Sequence, residues 1–209
     1  MPEPPGTLHA ALVLSRVACG RLVRLDSEAA RAMPGVVAML GPQDIPGRND
    51  IAAIGKNEPL FAVDRIEFLG QTLAMIVADT LDAARAAAAK VIVEIEAEDP
   101  VLDIATALAR ESYVQAPATI LRGDPERAMA AAPHRITGEF SVGGQEHFYL
   151  ESQIAFALPG EDGDITVHSS TQHPTEVQHV CARVLGWDFN RVTAVVRRLG
   201  GGFGGKESN

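Results

Sequence analysis

The sequence predicts a mixed α/β fold, of the α/β or α+β class, built from two domains. Two observations lead to this prediction. Short runs of strand formers alternate with alanine-rich segments in the first half of the chain, whereas the second half is richer in strand formers and contains one clear helix. With 209 residues, 46% of them hydrophobic, the chain has enough apolar material for a sizeable core.

Two helices are predicted in the first half. A short helix, EAARAM, follows Ser27, which lies where an N-cap residue belongs, and Pro34-Gly35 ends it. Thr80 caps the alanine-dominated helix predicted at residues 81–91. The strands predicted around these helices are residues 8–15, 20–26, 35–40, 72–78 and 91–98. The order strand, helix, strand over residues 72–98 indicates a βαβ-like or split unit.

The second half is expected to begin after a connector at residues 113–132. This places a first domain at residues 1–112 and a second at residues 133–209. Strands are predicted within residues 139–159, in the segment DITVHSS and at residues 192–199. Between the last two strands, Pro174 opens a helix at its first position and Gly186 closes it. The Gly- and Pro-rich stretch at residues 41–59 is predicted to be a functional or mobile loop.

The net charge and the pattern of apolar residues argue against nucleic-acid-binding, membrane-spanning and secreted proteins. The formal net charge of −9 disfavours a nucleic-acid-binding protein, which would carry a basic face. No apolar stretch approaches the roughly 18 to 20 residues of a membrane span, and the amino terminus lacks the basic region of a signal peptide. Cys19 and Cys181 are predicted to be buried thiols. We therefore expect a cytoplasmic protein with neither nucleic acid nor membrane among its partners.

The glycine-rich segment GGGFGGKE (200–207) is the most distinctive motif of the chain. Its glycines fit the dinucleotide pattern G-x-G-x-x-G, but that pattern needs a helix and an acidic residue about 20 residues later. With Lys206 they approach a phosphate-binding P-loop, but Glu207 stands where Ser or Thr would hold magnesium. Because glycines leave backbone amides uncovered, we expect the loop to direct several N–H groups at one anionic group, with a plain tight turn as the alternative.

Three motifs together resemble a known family. They are GQEHFYLE (144–151), STQH (170–173) and GGGFGGKE (200–207), and they occur in the order found in the molybdenum-cofactor subunit of xanthine dehydrogenases. The stretch at residues 8–40 resembles the small "hammerhead" domain of the same family, so the match covers residues 7–209. The resemblance to these xanthine oxidase and aldehyde oxidase relatives implies a hammerhead-type α/β domain followed by the truncated start of a molybdenum-cofactor-binding α+β domain.

The resemblance also implies roles for four residues. Gln172 matches the glutamine whose side-chain amide hydrogen-bonds an oxo ligand of molybdenum. Phe203 matches the residue whose backbone approaches the molybdenum ligands, and Gly204 beside it permits that approach. Gln172 and Phe203 would thus lie near the metal without ligating it. Glu207 matches the acid that hydrogen-bonds and orients a purine, and family members that act on aldehydes typically lack it. No catalytic residue is assigned to this chain.

A purine hydroxylase function follows from the resemblance. The implied enzyme oxidises hypoxanthine and xanthine towards urate, with water as the oxygen source and molybdenum-molybdopterin as cofactor. Its electrons pass through iron–sulfur clusters and FAD, on other domains or subunits, to NAD. Two alternatives remain open: a molybdenum hydroxylase acting on aldehydes or other N-heterocycles, and a non-catalytic module that binds a phosphate or nucleotide through the glycine loop.

The family's catalytic glutamate and most of its pterin contacts have no counterpart in these residues. We therefore expect a fragment of a larger enzyme that is inactive and free of cofactor on its own. Strands after residue 133 would expose unpaired edges, so self-association into an oligomer is expected.

Overall fold

The part of the chain that is described here, residues 3–53 and 58–207 of a computed structural model, contains three small sheets, five α-helices and two 3-10 helices, Pro42–Asp44 and Phe189–Arg191. The strands are β1 (His9–Leu14), β2 (Gly20–Asp26), β3 (Val36–Leu40), β4 (Arg65–Ile66), β5 (Thr72–Ala78), β6 (Ile92–Ala97), β7 (Ala155–Pro159), β8 (Ile165–Ser169) and β9 (Val192–Val195). The helices are α1 (Glu28–Arg31), α2 (Leu81–Ala88), α3 (Ile104–Ala109), α4 (Pro125–Ala131) and α5 (Pro174–Leu185).

The first two sheets lie in the amino-terminal half and are antiparallel throughout. One has the strand order β1-β5-β3 and the other β4-β2-β6. Their shared core includes the fully buried side chains of Ile66, Leu73 and Ile76, and α2 contributes its buried Ala87 to it. The strand predictions for residues 20–26 and 72–78 match β2 and β5 residue for residue.

The βαβ interpretation of residues 72–98 is wrong, because β5 and β6 lie in different sheets. Both edges of β5 are already occupied, by β1 on one side and β3 on the other, so β6 pairs with β2 instead. A true strand–helix–strand unit occurs later in the chain. There β8 and β9 are parallel neighbours and α5 connects them, as parallel strands require.

The two predicted amino-terminal helices form, but both are shorter than expected. Thr80 Oγ1 accepts a hydrogen bond from the Ala83 N–H at 3.1 Å, which confirms its role as N-cap of α2. The helix ends at Ala88 because the chain turns there into β6. Ser27 occupies the N-cap position of α1, but its hydroxyl makes no capping bond; Asp26 accepts the hydrogen bond of the Glu28 N–H instead.

The third sheet has the order β7-β8-β9. Strand formers at residues 139–159 yield only β7, because in the described chain no neighbouring strand pairs with residues 139–154. Strand β9 ends at Val195, four residues earlier than predicted, because its neighbour β8 pairs with it only up to that point. The expected limits of α5 are confirmed: Pro174 begins it, and Gly186 follows it in a left-handed conformation with φ of 70°.

The loop at residues 41–59 has a structural role in its described part. The N–H groups of Gly47 and Arg48 donate to the carbonyl oxygens of Val184 and Arg183, both at 2.9 Å. The Arg183 guanidinium in turn donates to the Ala52 carbonyl at 2.8 Å. Since the last carbonyls of a helix lack partners within the helix, this loop satisfies the carboxyl end of α5.

The chain divides into two compact units, one formed by Met1–Asp99 with His147–Asn209 and the other by Pro100–Glu146. The second unit contains α3 and α4, so the predicted connector at residues 113–132 includes a helix. Among the described residues, no helix is both long enough and apolar enough to cross a membrane.

Candidate functional site

The glycine loop, defined here as Gly200 to Lys206, lies against two other segments of the first unit. Residues 149–153 approach its beginning, where the Glu151 N–H donates to the Gly200 carbonyl at 3.4 Å. The turn after β8 approaches its end, where the Gln172 N–H donates to the Lys206 carbonyl at 3.0 Å. The Thr171 hydroxyl, which is buried, donates to the same carbonyl at 3.0 Å. Three motifs that are distant in sequence therefore meet at one place.

Gln172 connects two of the other residues that the sequence singled out. Its Oε1 accepts a hydrogen bond from the Gly204 N–H at 3.0 Å, and its Nε2 donates to Glu207 Oε2 at 3.0 Å. A side chain at position 202 would disrupt this arrangement, since a Cβ built on Gly202 would lie 2.4 Å from Gln172 Oε1. The close approach of loop and amide explains why that position is glycine.

Phe203 lies at the tip of the loop, with its side chain 76% exposed. Its φ of 53° is left-handed, as are the φ angles of Gly201 (96°) and Gly204 (97°) on either side. The tip therefore turns sharply without burying the aromatic ring. Gly204 is exposed and has no side chain, so its backbone can be reached by a ligand from outside the loop.

Glu207 has an exposed carboxylate next to Gln172. Besides the bond from Gln172, its Oε1 lies 3.8 Å from Nδ1 of His173. The side chain keeps 56% of its surface accessible, so a ligand can reach the carboxylate. Of the four predicted site residues, Gln172, Gly204 and Glu207 are joined by hydrogen bonds, and Phe203 is adjacent to Gly204 in the chain.

Two important residues of this region were not among the predicted site residues. Lys206 is fully buried, and its ammonium lies 2.8 Å from Oε2 of Glu151. The hydrogen bond from Lys206 holds the pKa of the Glu151 carboxyl below its usual range, and the Gly200 N–H and the charge of Lys206 act in the same direction. The sequence signal was the alternation of polar Tyr149, Glu151 and Gln153, which shows that they share a side but not what that side contacts.

The structure argues against both phosphate-type interpretations of the loop, each on a separate observation. A P-loop needs an ammonium group free to meet phosphates, whereas that of Lys206 is buried and paired with Glu151. A dinucleotide fingerprint should open a helix, whereas residues 203–206 form a turn.

The cysteines are less buried than predicted, because both thiols are half-buried rather than fully enclosed. Cys181 packs with Val177 against the small core around Val167, and burial raises the pKa of its thiol, which favours the unreactive neutral form. Within the described ranges, no group of three or more His, Cys, Asp or Glu side chains converges to hold a metal ion.

Comparison with known proteins shows the family. Residues 2–99 match the family model of the aldehyde oxidase and xanthine dehydrogenase a/b hammerhead domain. Residues 109–209 match the model of the molybdopterin cofactor-binding domain. The chain belongs to the aldehyde oxidase and xanthine dehydrogenase family. Both the family resemblance and the predicted fold class are confirmed by these matches.

Curated relatives and solved structures of the family agree with this assignment. A xanthine dehydrogenase of Emericella nidulans is 41% identical over the whole of this chain and 16% of its own length. A xanthine dehydrogenase/oxidase of Gallus gallus is 35% identical, again over the whole chain but 15% of the relative. This chain therefore spans about a sixth of these relatives.

Among solved structures of the family, an aldehyde oxidoreductase from Desulfovibrio gigas is similar with a TM-score of 0.85 and 30% identity, over 98% of this chain and 24% of that one. A quinoline 2-oxidoreductase from Pseudomonas putida 86 is similar with a TM-score of 0.81 and 26% identity, over 98% of this chain and 28% of that one.

Proposed function

We propose that this chain forms part of a molybdenum-dependent purine hydroxylase that oxidises hypoxanthine and xanthine towards urate, with water as the oxygen source. The observation that supports it best is that Gln172 is hydrogen-bonded both to Gly204, in the exposed tip of the glycine loop, and to Glu207. Identity of 35–41% to xanthine dehydrogenases along essentially the whole chain supports the same substrate class.

The glycine loop fits a cofactor that is held by backbone groups and neutral side chains. Its tip is exposed, and the close contact at Gly202 leaves no room for a side chain. The loop and Gln172 offer backbone groups and a neutral amide rather than metal-ligating side chains, which suits a molybdenum whose ligands come from a bound pterin. When bound, molybdopterin supplies the hydroxylation chemistry and accepts the substrate's electrons.

In this proposal each of the four predicted site residues has a separate task. Gln172 offers a neutral amide donor: its Nε2 carries two N–H groups, so one can bond the cofactor while the other keeps the bond to Glu207. Phe203 and Gly204 offer backbone that a cofactor can approach closely. Glu207 accepts hydrogen bonds from purine N–H groups and orients the ring, since its carboxylate is exposed and already aligned by Gln172.

The proposal includes partners that lie outside this chain. Iron–sulfur clusters and FAD, on other domains or subunits, would carry electrons to NAD, and the catalytic base would also come from elsewhere in the enzyme. Both cysteines are free thiols, which supports a reducing compartment such as the cytoplasm.

A second candidate is a hydroxylase of aldehydes or other N-heterocycles. The similarity in fold to an aldehyde oxidoreductase and a quinoline 2-oxidoreductase supports it. The two candidates differ in what they require of Glu207. A purine hydroxylase needs the Glu207 carboxylate to bind the purine. An aldehyde has no ring N–H, so its binding does not need this carboxylate.

Substrate kinetics on the holoenzyme that contains this chain test the proposal. Glu207→Ala should lower kcat/KM for xanthine about 10- to 100-fold, the range expected for losing a charged hydrogen bond, at unchanged molybdenum content. Glu161→Ala, a change of another exposed carboxylate, is the control. Turnover of an aromatic aldehyde but not of xanthine by the unmodified enzyme would favour the second candidate.

A further inference from the structure

The glycine loop ends at a lysine, Lys206, whose side chain is fully buried and takes no part in the proposed cofactor contacts. The Lys206 side chain is 0% exposed. Its ammonium lies 2.8 Å from Glu151 Oε2, 3.5 Å from the Ser152 carbonyl oxygen and 4.8 Å from the centre of the Tyr149 ring. Because an unpaired charge is costly to bury, the position of this ammonium depends on its carboxylate partner.

Glu151 contacts both ends of the glycine loop. The same oxygen, Oε2, accepts hydrogen bonds from the Lys206 ammonium at the end of the loop and from the Gly200 N–H at its start, the latter at 3.0 Å. The backbone N–H of Glu151 donates to the Gly200 carbonyl at 3.4 Å. A Cβ on Gly200 would lie 2.6 Å from that of Glu151, so the two segments touch. One carboxylate therefore closes the loop.

Two residues close to Glu151 in sequence, Tyr149 and Gln153, also contact the glycine loop. Tyr149 Oη donates to the Gly205 carbonyl at 3.4 Å, and Gln153 Nε2 donates to the same carbonyl at 3.0 Å. The alternate residue Leu150 is 94% exposed. Side chains at every second position, 149, 151 and 153, therefore contact the loop, although the chain bends at residues 150 and 151.

We propose that Glu151 and Lys206 form a loop clamp that holds the glycine loop closed and fixes the direction in which Glu207 presents its carboxylate. This inference deepens the proposed function and, for its consequence on substrate, rests on it. Lys206 and Glu207 are consecutive, and one side chain is fully buried while the other is exposed. Anchoring Lys206 below the loop therefore orients Glu207 outward. Glu151 and Lys206 act as positioning residues, since neither contacts the proposed ligands.

Amide hydrogen exchange on the 209-residue chain tests the clamp without any cofactor. The probes are the amides of Gly200, Gly204 and Gly205, which all donate hydrogen bonds in the closed loop. Glu151→Gln should speed their exchange at least about tenfold, while the amides of β5 keep their protection. Glu161→Gln, which removes an exposed carboxylate elsewhere, should leave the loop amides unchanged.

A double-variant comparison separates charge pairing from shape. Glu151→Gln leaves the buried ammonium without its carboxylate, whereas Glu151→Gln with Lys206→Met removes both charges and should restore part of the protection. Lys206→Met alone leaves no unpaired ammonium in the interior. It should also speed the exchange of the loop amides. It is therefore the decisive variant if Glu151→Gln fails to fold. Three results would overturn the clamp. They are unchanged exchange rates at the loop amides in Lys206→Met, an equal rise in the exchange rates of the β5 amides, and no recovery of loop-amide protection in the double variant.

Kinetics on the holoenzyme test the consequence for substrate. Lys206→Met should raise KM for xanthine about tenfold and change kcat less than threefold, because it misorients Glu207 without touching the reacting atoms. An equal loss in kcat contradicts the orienting role. Absence of xanthine turnover in the unmodified enzyme overturns the proposed function, while the loop-amide result still decides the clamp.

Discussion

At the scale of single residues, the contact between Gly202 and Gln172 controls the geometry of the candidate site. Gly202→Ala would place a Cβ 2.4 Å from Gln172 Oε1, so the amide must move and lose its bond from the Gly204 N–H. We expect the free energy of unfolding to fall by about 1 kcal/mol, the net value of one hydrogen bond, in urea denaturation. Gly143→Ala, where no atom lies within 4 Å of the new Cβ, is the matched control and should change it by less than about 0.5 kcal/mol.

The Glu151 carboxyl predicts a pH dependence of the loop. Its pKa is lowered, first by the hydrogen bond from Lys206 and then by that from Gly200. A carboxyl with a depressed pKa in the folded state contributes stability above its ordinary value of 4.5, and loses it as the pH falls through the lowered value. Amide exchange of Gly200, corrected for intrinsic rates, should therefore be constant from pH 7 to 5 and accelerate below about 4.5. The same profile in Glu151→Gln would contradict this assignment.

How much of the site the sequence could predict differs from residue to residue. Gln172, Gly204 and Glu207 were predicted from motifs and are hydrogen-bonded to one another. The pair Glu151 and Lys206 was not, because it joins residues 55 positions apart and sequence patterning is local. Lys206 was interpreted together with the glycines before it, whereas its partner Glu151 lies on another segment of the chain.

At the scale of elements, local signals predicted most strands and helix ends, and pairing explains the errors. Pro174 and Gly186 bound α5 because both act through their own backbone conformation. Strand β6 was expected in the same sheet as β5, within a βαβ-like or split unit, yet it pairs with β2, since β1 and β3 occupy both edges of β5. Which edges are free depends on the whole sheet, so local patterning could not provide it.

The loop before residue 53 gives a prediction at this scale. A Cβ on Gly47 would lie 2.2 Å from the carbonyl oxygen of Arg183 and 2.4 Å from the backbone nitrogen of Gly186. Neither backbone atom can move without disturbing the end of α5, so Gly47→Ala should destabilise the fold by about 2 kcal/mol. Thermal unfolding by circular dichroism measures it, with Gly138→Ala, which meets no atom within 4 Å, as control. Equal midpoints would show that the loop does not support α5.

At the scale of the whole molecule, exposed apolar side chains predict self-association. Phe148 is 83% exposed and Leu150 94%, both close in sequence to Glu151 of the clamp. Within the other unit, Ile136 and Phe140 are also largely exposed. Such side chains tend to bind other surfaces, so the isolated chain should form oligomers as its concentration rises. Light scattering with Phe148→Ser and Leu150→Ser should show less association than the unmodified chain, and a monomer at high concentration would contradict the prediction.

If the glycine loop and Gln172 help to hold a molybdopterin cofactor, the cofactor content of the holoenzyme depends on them. Molybdenum by mass spectrometry and pterin by fluorescence after oxidation should each approach one per copy of this chain in the holoenzyme. Both should fall together in Gly202→Ala and stay unchanged in Gly143→Ala. The 209-residue chain alone should retain neither. A holoenzyme without molybdenum, or with equal cofactor content in the two glycine variants, would show that the loop does not hold such a cofactor.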